Sequence, residues 1–359
     1  MAGDKVSPRR IRSDEITDVL SEAIRLGVYG AGESFPSLSA LMRRFNISRP
    51  CAARSVAELK RMGLVETQVG SGTRVKNRTI GVLIPGTADS EFFRALLEGI
   101  RDNCQRRGSE MVTCDFSCNH SRRAQETVDF ARELVERNVA GVILQPIGFN
   151  AEAAEINRTI EKILSDAGIP VVLIDYDVAE PPLRSQHDLI AIDNFNAGRC
   201  IAKHLLDAGA KRISCLLRRL SAESVWTRYD GVDSVLKRTY GSCADRIEAE
   251  PDDVKAVADG LEQFRPDAIV CSNDIAANNL LKTLKKLKVR VPEDVMLTGF
   301  DDVELAGKMM PGLTTIHQPC AELATTAFET LMSRLDNPDL PPREVFLNAP
   351  LVVRASTRS

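Results

Sequence analysis

The sequence predicts an α/β protein with two parts, a small N-terminal winged helix-turn-helix domain and a larger, two-lobed Rossmann-like domain. Residues 1–76 hold three short amphipathic segments and a glycine-rich hairpin, whereas after Thr79 short unbroken apolar stretches alternate with helical ones. Unbroken apolar strands that alternate with helices are typical of parallel sheets covered on both faces. We therefore expect domains at 1–76 and 77–359.

Length and composition are those of a globular protein without membrane spans. The 359 residues are 43% hydrophobic and 27% charged, which suits two or three folding units. No apolar run reaches the ~18 residues of a membrane span, and residues 1–12 contain no apolar stretch typical of an export signal. The nine cysteines form no disulfide-like framework. We therefore expect a cytoplasmic protein with no membrane partner.

The charge is distributed unevenly along the chain. Residues 1–78 carry 14 Lys and Arg against 8 Asp and Glu, while the remainder carries 33 against 42. A basic balance confined to a short N-terminal segment indicates a polyanionic partner for that segment only.

The N-terminal segment is predicted to hold three helices and a β-hairpin. The second and third helices are joined by only Asn46-Ile47, a turn length that suits a helix-turn-helix. Glycines in the turn at 69–72 favour a tight hairpin connection. The predicted helices cover 14–28, 37–45 and 48–62, and the predicted strands cover 64–68 and 73–76.

The third helix carries two arginines suited to DNA. In a helix-turn-helix this helix enters the major groove with its N-terminal end first, where Arg49 lies, and Arg54 follows further along. Arginine makes bidentate contacts to guanine or grips a phosphate. Gly70 and Gly72 allow the hairpin backbone to approach a sugar-phosphate strand closely. The alternative is that both arginines are solvated surface charges.

An ordered set of motifs resembles the GntR-type winged-helix domain over residues 11–76. The motifs are Tyr29-Gly30, Phe35-Pro36-Ser37, Leu41, Phe45, Ile47-Ser48-Arg49, Leu59, Gly63-Leu64 and Gly70-Ser71-Gly72-Thr73. Two family positions differ: Leu38-Ser39 replaces a Glu-Arg pair, and Cys51-Ala52-Ala53 replaces a Thr, an aliphatic residue and an Arg. The resemblance implies double-stranded operator DNA as the partner. The DNA contacts it implies are Ser37, Ser39, Ser48, Arg49, Pro50, Cys51, Arg54, Gly70, Ser71 and Gly72.

The larger part repeats a strand–helix unit more often than one sheet comfortably holds, which predicts two lobes. Ligands in such folds bind at the carboxyl ends of the strands. The predicted strands are 80–85, 141–144, 170–174, 189–192, 213–217, 268–271 and 295–300. Helices are predicted between these strands, for example at 92–107, 127–138, 151–167, 196–208, 229–240 and 274–288.

The residues that follow these strands are polar or aromatic. His and Cys are absent from the set, so we expect no metal and no cofactor. Carboxylates, amides and aromatic faces suit a neutral polyhydroxyl ligand. The strand-end residues are Asp89, Ser90, Phe92, Phe93, Gln145, Asp175, Asp193, Asn194, Asn273, Asp274, Asp301 and Asp302, of which Asp193 and Asn194 could instead only cap a helix.

A second set of motifs resembles the LacI/GalR regulators and the related periplasmic sugar-binding proteins over residues 79–356. The motifs are 80–85 with Phe92-Phe93, Glu98-Gly99-Ile100, Asp193-Asn194, Ala197-Gly198, His204-Leu205, Arg228 with Gly231, Ser272-Asn273-Asp274, Gly299-Phe300-Asp301-Asp302 and Thr314-Thr315-Ile316-His317-Gln318-Pro319. The resemblance implies a periplasmic-binding-protein-like effector domain with ligand contacts at Ser90, Phe92, Phe93, Arg228, Asn273, Asp301 and Gln318.

Three further ligand positions are predicted, and one family feature is missing. Gln145 and Asp175 follow strands, and Trp226 is either a stacking platform or a core or hinge residue. The charged sugar-contact pair that the family often carries after Leu144 is replaced by Gln145-Pro146-Ile147-Gly148.

This combination of a GntR-type domain with a LacI-type domain resembles that of the arabinose-type repressors. They imply a homodimeric regulator, a repressor controlled by a sugar, with no enzymatic activity. We expect lobe one at 79–178 and 318–342 and lobe two at 179–317 and 343–359, with residues 74–78 replacing the usual hinge helix. The alternatives are a solute-binding protein for transport and a regulator that responds to a purine or sugar phosphate. An enzyme is disfavoured because no nucleophile–base arrangement or phosphate-binding loop is evident.

Overall fold

A computed structural model describes most of the chain as two compact units. One unit comprises Met1–Ile80 with Cys104–Val112, and the other comprises Gly81–Asn103 with Thr113–Ser359. The described residues are 13–25, 28–30, 32–68, 72–76, 79–88, 90–117, 119–148, 152–179 and 182–357.

The N-terminal unit confirms the predicted winged helix-turn-helix. Its strands are antiparallel, with Val65 opposite Val75. The elements are α1 Ser13–Arg25, α2 Leu38–Phe45, α3 Arg49–Arg61, β1 Val65–Gln68 and β2 Gly72–Val75. Their apolar faces form one core of Ile16, Leu20, Phe35, Leu41, Ala52, Val56, Leu59, Leu64, Val65 and Val75.

Local chemistry sets the turn between α2 and α3. The Ser37 hydroxyl accepts a hydrogen bond from the Ala40 amide at 3.3 Å, which caps the start of α2. Asn46 ends α2 with a left-handed backbone, φ 50°. Pro50 lies in the first turn of α3, where its missing amide costs no helical bond. Ser48 occupies the N-cap position of α3, although its side chain makes no capping bond.

The larger part holds the remaining strands and helices. The strands are β3 Ile80–Leu83, β4 Met111–Val112, β5 Gly141–Leu144, β6 Val171–Ile174, β7 Asp188–Ile192, β8 Ile213–Leu217, β9 Asp245–Glu248, β10 Ala268–Val270, β11 Met296–Thr298, β12 Thr315–Ile316, β13 Glu344–Leu347 and β14 Leu351–Val352. The helices are α4 Glu91–Arg107, α5 His120–Glu136, α6 Ala153–Asp166, α7 Asn194–Asp207, α8 Glu223–Tyr240, α9 Val254–Phe264, α10 Asp274–Lys286, α11 Glu304–Lys308 and α12 Cys320–Asp336.

The strands confirm a two-lobed architecture. In the first lobe they lie side by side in the order β13-β7-β6-β5-β3, and in the second in the order β11-β10-β8-β9. The pairs β13–β7, β7–β6 and β6–β5 are parallel, as are all pairs of the second sheet. β12 and β14 form a separate antiparallel pair.

The predicted limits between the lobes need correction. β7 and β13 belong to the first sheet, whereas the sequence placed 179–317 and 343–359 in lobe two. Strand pairing between distant segments decides this, and an unbroken apolar strand does not reveal which sheet it joins. The chain therefore crosses between lobes at about residues 193, 317–319 and 348–350, which we call the crossings.

Helices α7 and α8 cross with their backbones in contact. A Cβ on Gly198 would lie 1.9 Å from the Arg228 carbonyl oxygen, and one on Gly231 would lie 2.1 Å from the Phe195 carbonyl oxygen. Only glycine permits so close an approach at both points. This contact between the two helices places Arg228 of α8 beside Asn194, the first residue of α7.

A buried ion cluster holds the C-terminal part of the chain to the first sheet. Asp188 in β7 is fully buried and accepts from the guanidinium groups of Arg334 in α12 at 3.0 Å and Arg343 at 3.2 Å. Arg343 also donates its backbone amide to the same carboxylate. Among the residues that the structure describes, no helix is long and apolar enough to cross a membrane.

Candidate functional site

A cavity of about 400 Å³ lies within the larger unit, where the carboxyl ends of the two sheets face each other. Strand ends and helix starts from both lobes line it, because parallel strands deliver the residues that follow them to one edge of the sheet. Nine of the ten predicted ligand positions line this cavity: Ser90, Phe92, Phe93, Gln145, Asp175, Arg228, Asn273, Asp301 and Gln318.

Arg228 is a buried cation at the centre of the cavity wall, with 7% of its surface exposed. Its Nε donates to Asn194 Oδ1 at 2.8 Å, and its Nη1 donates to the Ser272 carbonyl at 2.7 Å. The guanidinium carbon lies 3.6 Å from the centre of the Phe300 ring, which adds a cation–π contact. Burial lowers the pKa of Arg228, and the nearby Asp301 and Asp175 carboxylates oppose that shift.

Asp301 is an acceptor fixed in an unusual backbone conformation, φ 106°. Its Oδ1 accepts from Gln318 Nε2 at 2.7 Å. Burial raises the pKa of Asp301 to about 6, and the charge of Arg228 limits that rise. A carboxylate held in this way can accept a hydrogen bond from a ligand hydroxyl.

The neighbouring turn is tied to the crossing at 317–319 and to the segment that follows β14. Asp302 accepts from His317 Nδ1 at 3.0 Å and from Arg354 Nη2 at 2.6 Å. The Asp301 amide donates to the Ile316 carbonyl at 3.0 Å. Asp274 lies behind the turn, where burial raises its pKa to about 8 and where it accepts from Thr315 and from a backbone amide. The position of Asp301 is thus coupled by hydrogen bonds to the crossing at 317–319.

The first lobe supplies a second carboxylate and an amide. Asp175 has φ 80° and accepts from Ser224 Oγ of α8 at 3.4 Å, a hydrogen bond that joins the lobes. Burial raises the pKa of Asp175, which the charge of Arg228 opposes. Gln145 Oε1 accepts from the Gly86 amide at 2.9 Å, which leaves its Nε2 for a ligand.

Phe92 and Phe93 form an edge-to-face pair with ring centres 4.9 Å apart. Phe92 is buried, and Phe93 is half-buried. Ser90 Oγ accepts from the Phe93 amide at 3.5 Å. Asn273 caps α10 by accepting from the Ala276 amide at 2.8 Å, so its side-chain NH₂ remains available. These groups supply aromatic surface and a donor.

Trp226 does not line the cavity, which corrects the predicted stacking role. α8 begins at Glu223, six residues earlier than the sequence predicted. At about 100° per residue, Ser224, Val225 and Arg228 share the cavity side of the helix, while Trp226 points elsewhere and is 39% exposed.

Sequence reasoning missed several lining residues because they lie inside helices. Arg123 is buried on α5, and Ser224 and Val225 lie on the first turn of α8. Asp193 caps α7 as predicted, but Asn194 is buried and holds Arg228. A buried polar residue beside a helix cap was the only signal for Asn194.

The cavity wall offers a ligand both acceptors and donors. Hydroxyl groups can satisfy both kinds at once, whereas an ion can satisfy only one. Among the described residues, the lining atoms that make no hydrogen bond to the protein include the acceptors Asp301 Oδ2, Asp175 Oδ1 and Gln318 Oε1, the donors Gln145 Nε2 and Asn273 Nδ2, and the Ser272 hydroxyl.

The described residues contain no group of three His, Cys, Asp or Glu arranged to hold a metal ion. Cys114, Cys118 and His120 lie close together in the sequence and are ligand types for a metal, but Cys118 and the His120 side chain lie outside the described residues. Burial raises the pKa of Cys114 to about 12, which disfavours the thiolate that a metal requires.

Four of the ten predicted DNA contacts are exposed on α3 or at its N-cap. These are Ser48, Arg49, Pro50 and Arg54, while Cys51 is half-buried and packs against the domain core. The other predicted contacts lie at the start of α2 or in the hairpin: Ser37 and Ser39 are exposed, Gly72 is exposed with φ 83°, and Gly70 and Ser71 lie outside the described residues.

Comparisons with known proteins match both units. Residues 12–75 match the model of the bacterial regulatory proteins of the gntR family, and residues 202–357 match the periplasmic binding protein-like domain. The transcriptional repressor PurR of Vibrio vulnificus is 31% identical over 289 residues, covering 78% of this chain and 81% of that protein. The ribose operon repressor of Escherichia coli K12 is 27% identical over 336 residues, covering 91% and 97%.

Solved structures show the same fold. A LacI family transcriptional regulator from Enterococcus faecium, with bound ribose, superimposes with a TM-score of 0.64 at 25% identity, covering 78% of this chain and 98% of that one. A transcription regulator GntR from Chromobacterium violaceum gives a TM-score of 0.62 at 25% identity, covering 78% and 99%.

Proposed function

Because the chain belongs to the LacI family of ligand-controlled transcriptional repressors and carries a gntR-family DNA-binding domain, we propose that its effector is a neutral sugar bound in the cavity between the lobes. The observation that carries this proposal is the presence of both unpaired acceptors and unpaired donors in the cavity that Arg228 and Asp301 line. A relative with bound ribose supports it.

The proposal assigns a role to each side chain. Asp301 and Asp175 accept from ligand hydroxyls, Arg228 and Asn273 donate to ligand oxygens, and the Phe92–Phe93 pair covers a C–H face of the ring. Gln318 orients Asp301 through their 2.7 Å hydrogen bond. Ser90 and Gln145 complete the polar wall. Trp226 is not part of the proposed site.

A gel-shift assay with the protein's own upstream DNA tests the function. We expect operator binding that changes when a sugar is added, and a thermal-shift screen of pentoses, hexoses, sugar phosphates and purines identifies the class, because ligand binding to the native state raises its apparent stability. A shift with purines alone would contradict the sugar assignment and favour the purine alternative that PurR suggests.

We infer that two chains act together as a homodimer in the cytoplasm. A dimer would present two α3 helices to a palindromic operator with half-sites about one helical turn apart. Closure of the lobes on a sugar would alter the separation of the two DNA-binding domains, provided that the sugar binds the two states with different affinity.

Replacing Arg49 by alanine is expected to weaken operator binding about ten- to hundredfold and to leave sugar affinity unchanged. The exposed Arg49 begins α3 and is proposed to contact a base or phosphate in the major groove. The matched control is Arg61→Ala at the other end of α3, where Arg61 pairs with Glu58 at 2.6 Å. Fluorescence anisotropy with labelled operator measures both. Equal losses in the two variants would indicate an effect of net charge and contradict the docking model.

Sugar affinity is expected to fall as the pH drops through about 6. The pKa of Asp301 is raised to about 6, so this group is a charged acceptor above that pH and becomes protonated below it. The loss approaches about tenfold for each pH unit below the pKa. Calorimetric titrations from about pH 5 to about pH 8 measure it. Asp301→Asn should bind weakly with a flat profile, whereas a flat profile in the unmodified protein would exclude Asp301 as the acceptor.

A further inference from the structure

One edge of the cavity is formed by apolar residues of both lobes. Ile147 and Gly148 of the first lobe meet Ala222 and Val225 at the start of α8. A Cβ built on Gly148 would lie 3.1 Å from the Ala222 Cβ, so the two lobes are almost in contact here. We call these four residues the apolar edge.

Backbone polar groups next to the apolar edge already have protein partners. The Pro146 carbonyl accepts from the Tyr176 hydroxyl at 3.1 Å. The Ile147 amide donates to Asn157 Oδ1 at 2.8 Å, and its carbonyl accepts from Asn157 Nδ2 at 3.0 Å. The Ala222 carbonyl accepts from the Val225 amide at 3.0 Å. These groups are therefore not available to a ligand.

A ligand atom at the apolar edge meets the side chains of Ile147, Ala222 and Val225, and the nearest hydroxyl, that of Tyr176, already donates to the Pro146 carbonyl. A hydroxyl group there would lose most of its hydrogen bonds to water, while a methyl or methylene group would pack favourably. Discrimination of this kind typically amounts to about ten- to hundredfold in affinity.

We propose that the effector is a deoxy sugar, whose hydroxyl-bearing side contacts Asp301 and Arg228 and whose hydroxyl-free carbon lies against the apolar edge. This inference rests on the proposed function and narrows its ligand class.

Calorimetry with sugar pairs that differ by one hydroxyl tests the inference on the full-length protein. The probes are D-galactose with D-fucose, L-mannose with L-rhamnose, and D-ribose with 2-deoxy-D-ribose. We expect the deoxy member of at least one pair to bind at least about tenfold more tightly than its partner.

Two variants add a hydroxyl to the apolar edge. Each should reduce the ratio of the deoxy sugar's affinity to that of its hydroxylated partner below about threefold. Val225→Thr keeps the shape of a side chain that is 4% exposed. Ala222→Ser lies at the N-cap position of α8, where serine is favoured and folding is retained. The matched control is Val232→Thr, which buries the same hydroxyl on α8 away from the cavity and should leave the ratio unchanged.

The outcomes separate this inference from the proposed function. If sugars bind but every hydroxylated member binds as well as its deoxy partner, the inference is overturned and the sugar-controlled function stands. Binding of no sugar overturns both. An unchanged ratio in Val225→Thr and Ala222→Ser, or an equal change in Val232→Thr, would show that the apolar edge does not select the ligand.

Discussion

Replacing Arg228 by glutamine is expected to weaken sugar binding at least about a hundredfold and to leave operator binding within about threefold of the unmodified protein. The guanidinium is held by Asn194 and the Ser272 carbonyl and balances two buried carboxylates. Without that charge the pKa values of Asp301 and Asp175 rise further, so both carboxylates become weaker acceptors. The DNA-binding unit contains none of these residues.

Arg246→Gln is the matched control for this prediction. Arg246 also lies in the second lobe, pairs with Asp233 at 2.7 Å and lies over the Tyr229 ring, but it does not line the cavity. It should therefore cost stability without selective loss of sugar affinity. Titration calorimetry and gel shifts on both variants separate the effects. A sugar response that persists in Arg228→Gln would remove Arg228 from the site.

Asp188→Asn is expected to lower the free energy of unfolding by about 3 kcal/mol, because the nearly buried Arg334 loses the carboxylate that neutralises it and the partly exposed Arg343 loses the same partner. Arg334 also donates to the carbonyls of Pro338 and Pro341, so the loop before β13 should loosen as well. Denaturant unfolding followed by circular dichroism measures the loss.

The control for Asp188→Asn is Asp294→Asn, which breaks an ion pair with Arg290 whose side chain is 69% exposed. An exposed pair contributes at most about 1 kcal/mol. If the two variants lose the same stability, the Asp188 cluster does not hold the C-terminal segment to the first sheet.

Much of the site was predictable from the sequence because parallel strands bring their ends together. Asp175, Asn273 and Asp301 follow strands that the apolar pattern located to within about two residues, and all three line the cavity. The predicted stacking role of Trp226 was wrong because α8 starts without a capping side chain. Ala222 occupies the N-cap position, so no sequence signal marks the first turn of the helix.

The predicted residue ranges of the two lobes were wrong for a different reason. β13 is a short strand with alternating exposure at the edge of its sheet, and its partner β7 lies about 150 residues earlier in the chain. Local patterns carry no information about such pairing. Helices α9 and α12 were also missed, although Asp253 caps α9 through two backbone amides.

The contacts of Asp301 have a consequence for redesign of the protein as a biosensor. Asp301 and Gln318 line the cavity and are bonded to each other at the crossing formed by residues 317–319, so changing them would alter ligand recognition and the proposed lobe movement together. Ile147, Ala222 and Val225 line the cavity without making any of those bonds. A library confined to these three positions would therefore explore new ligands while the output of the sensor is preserved.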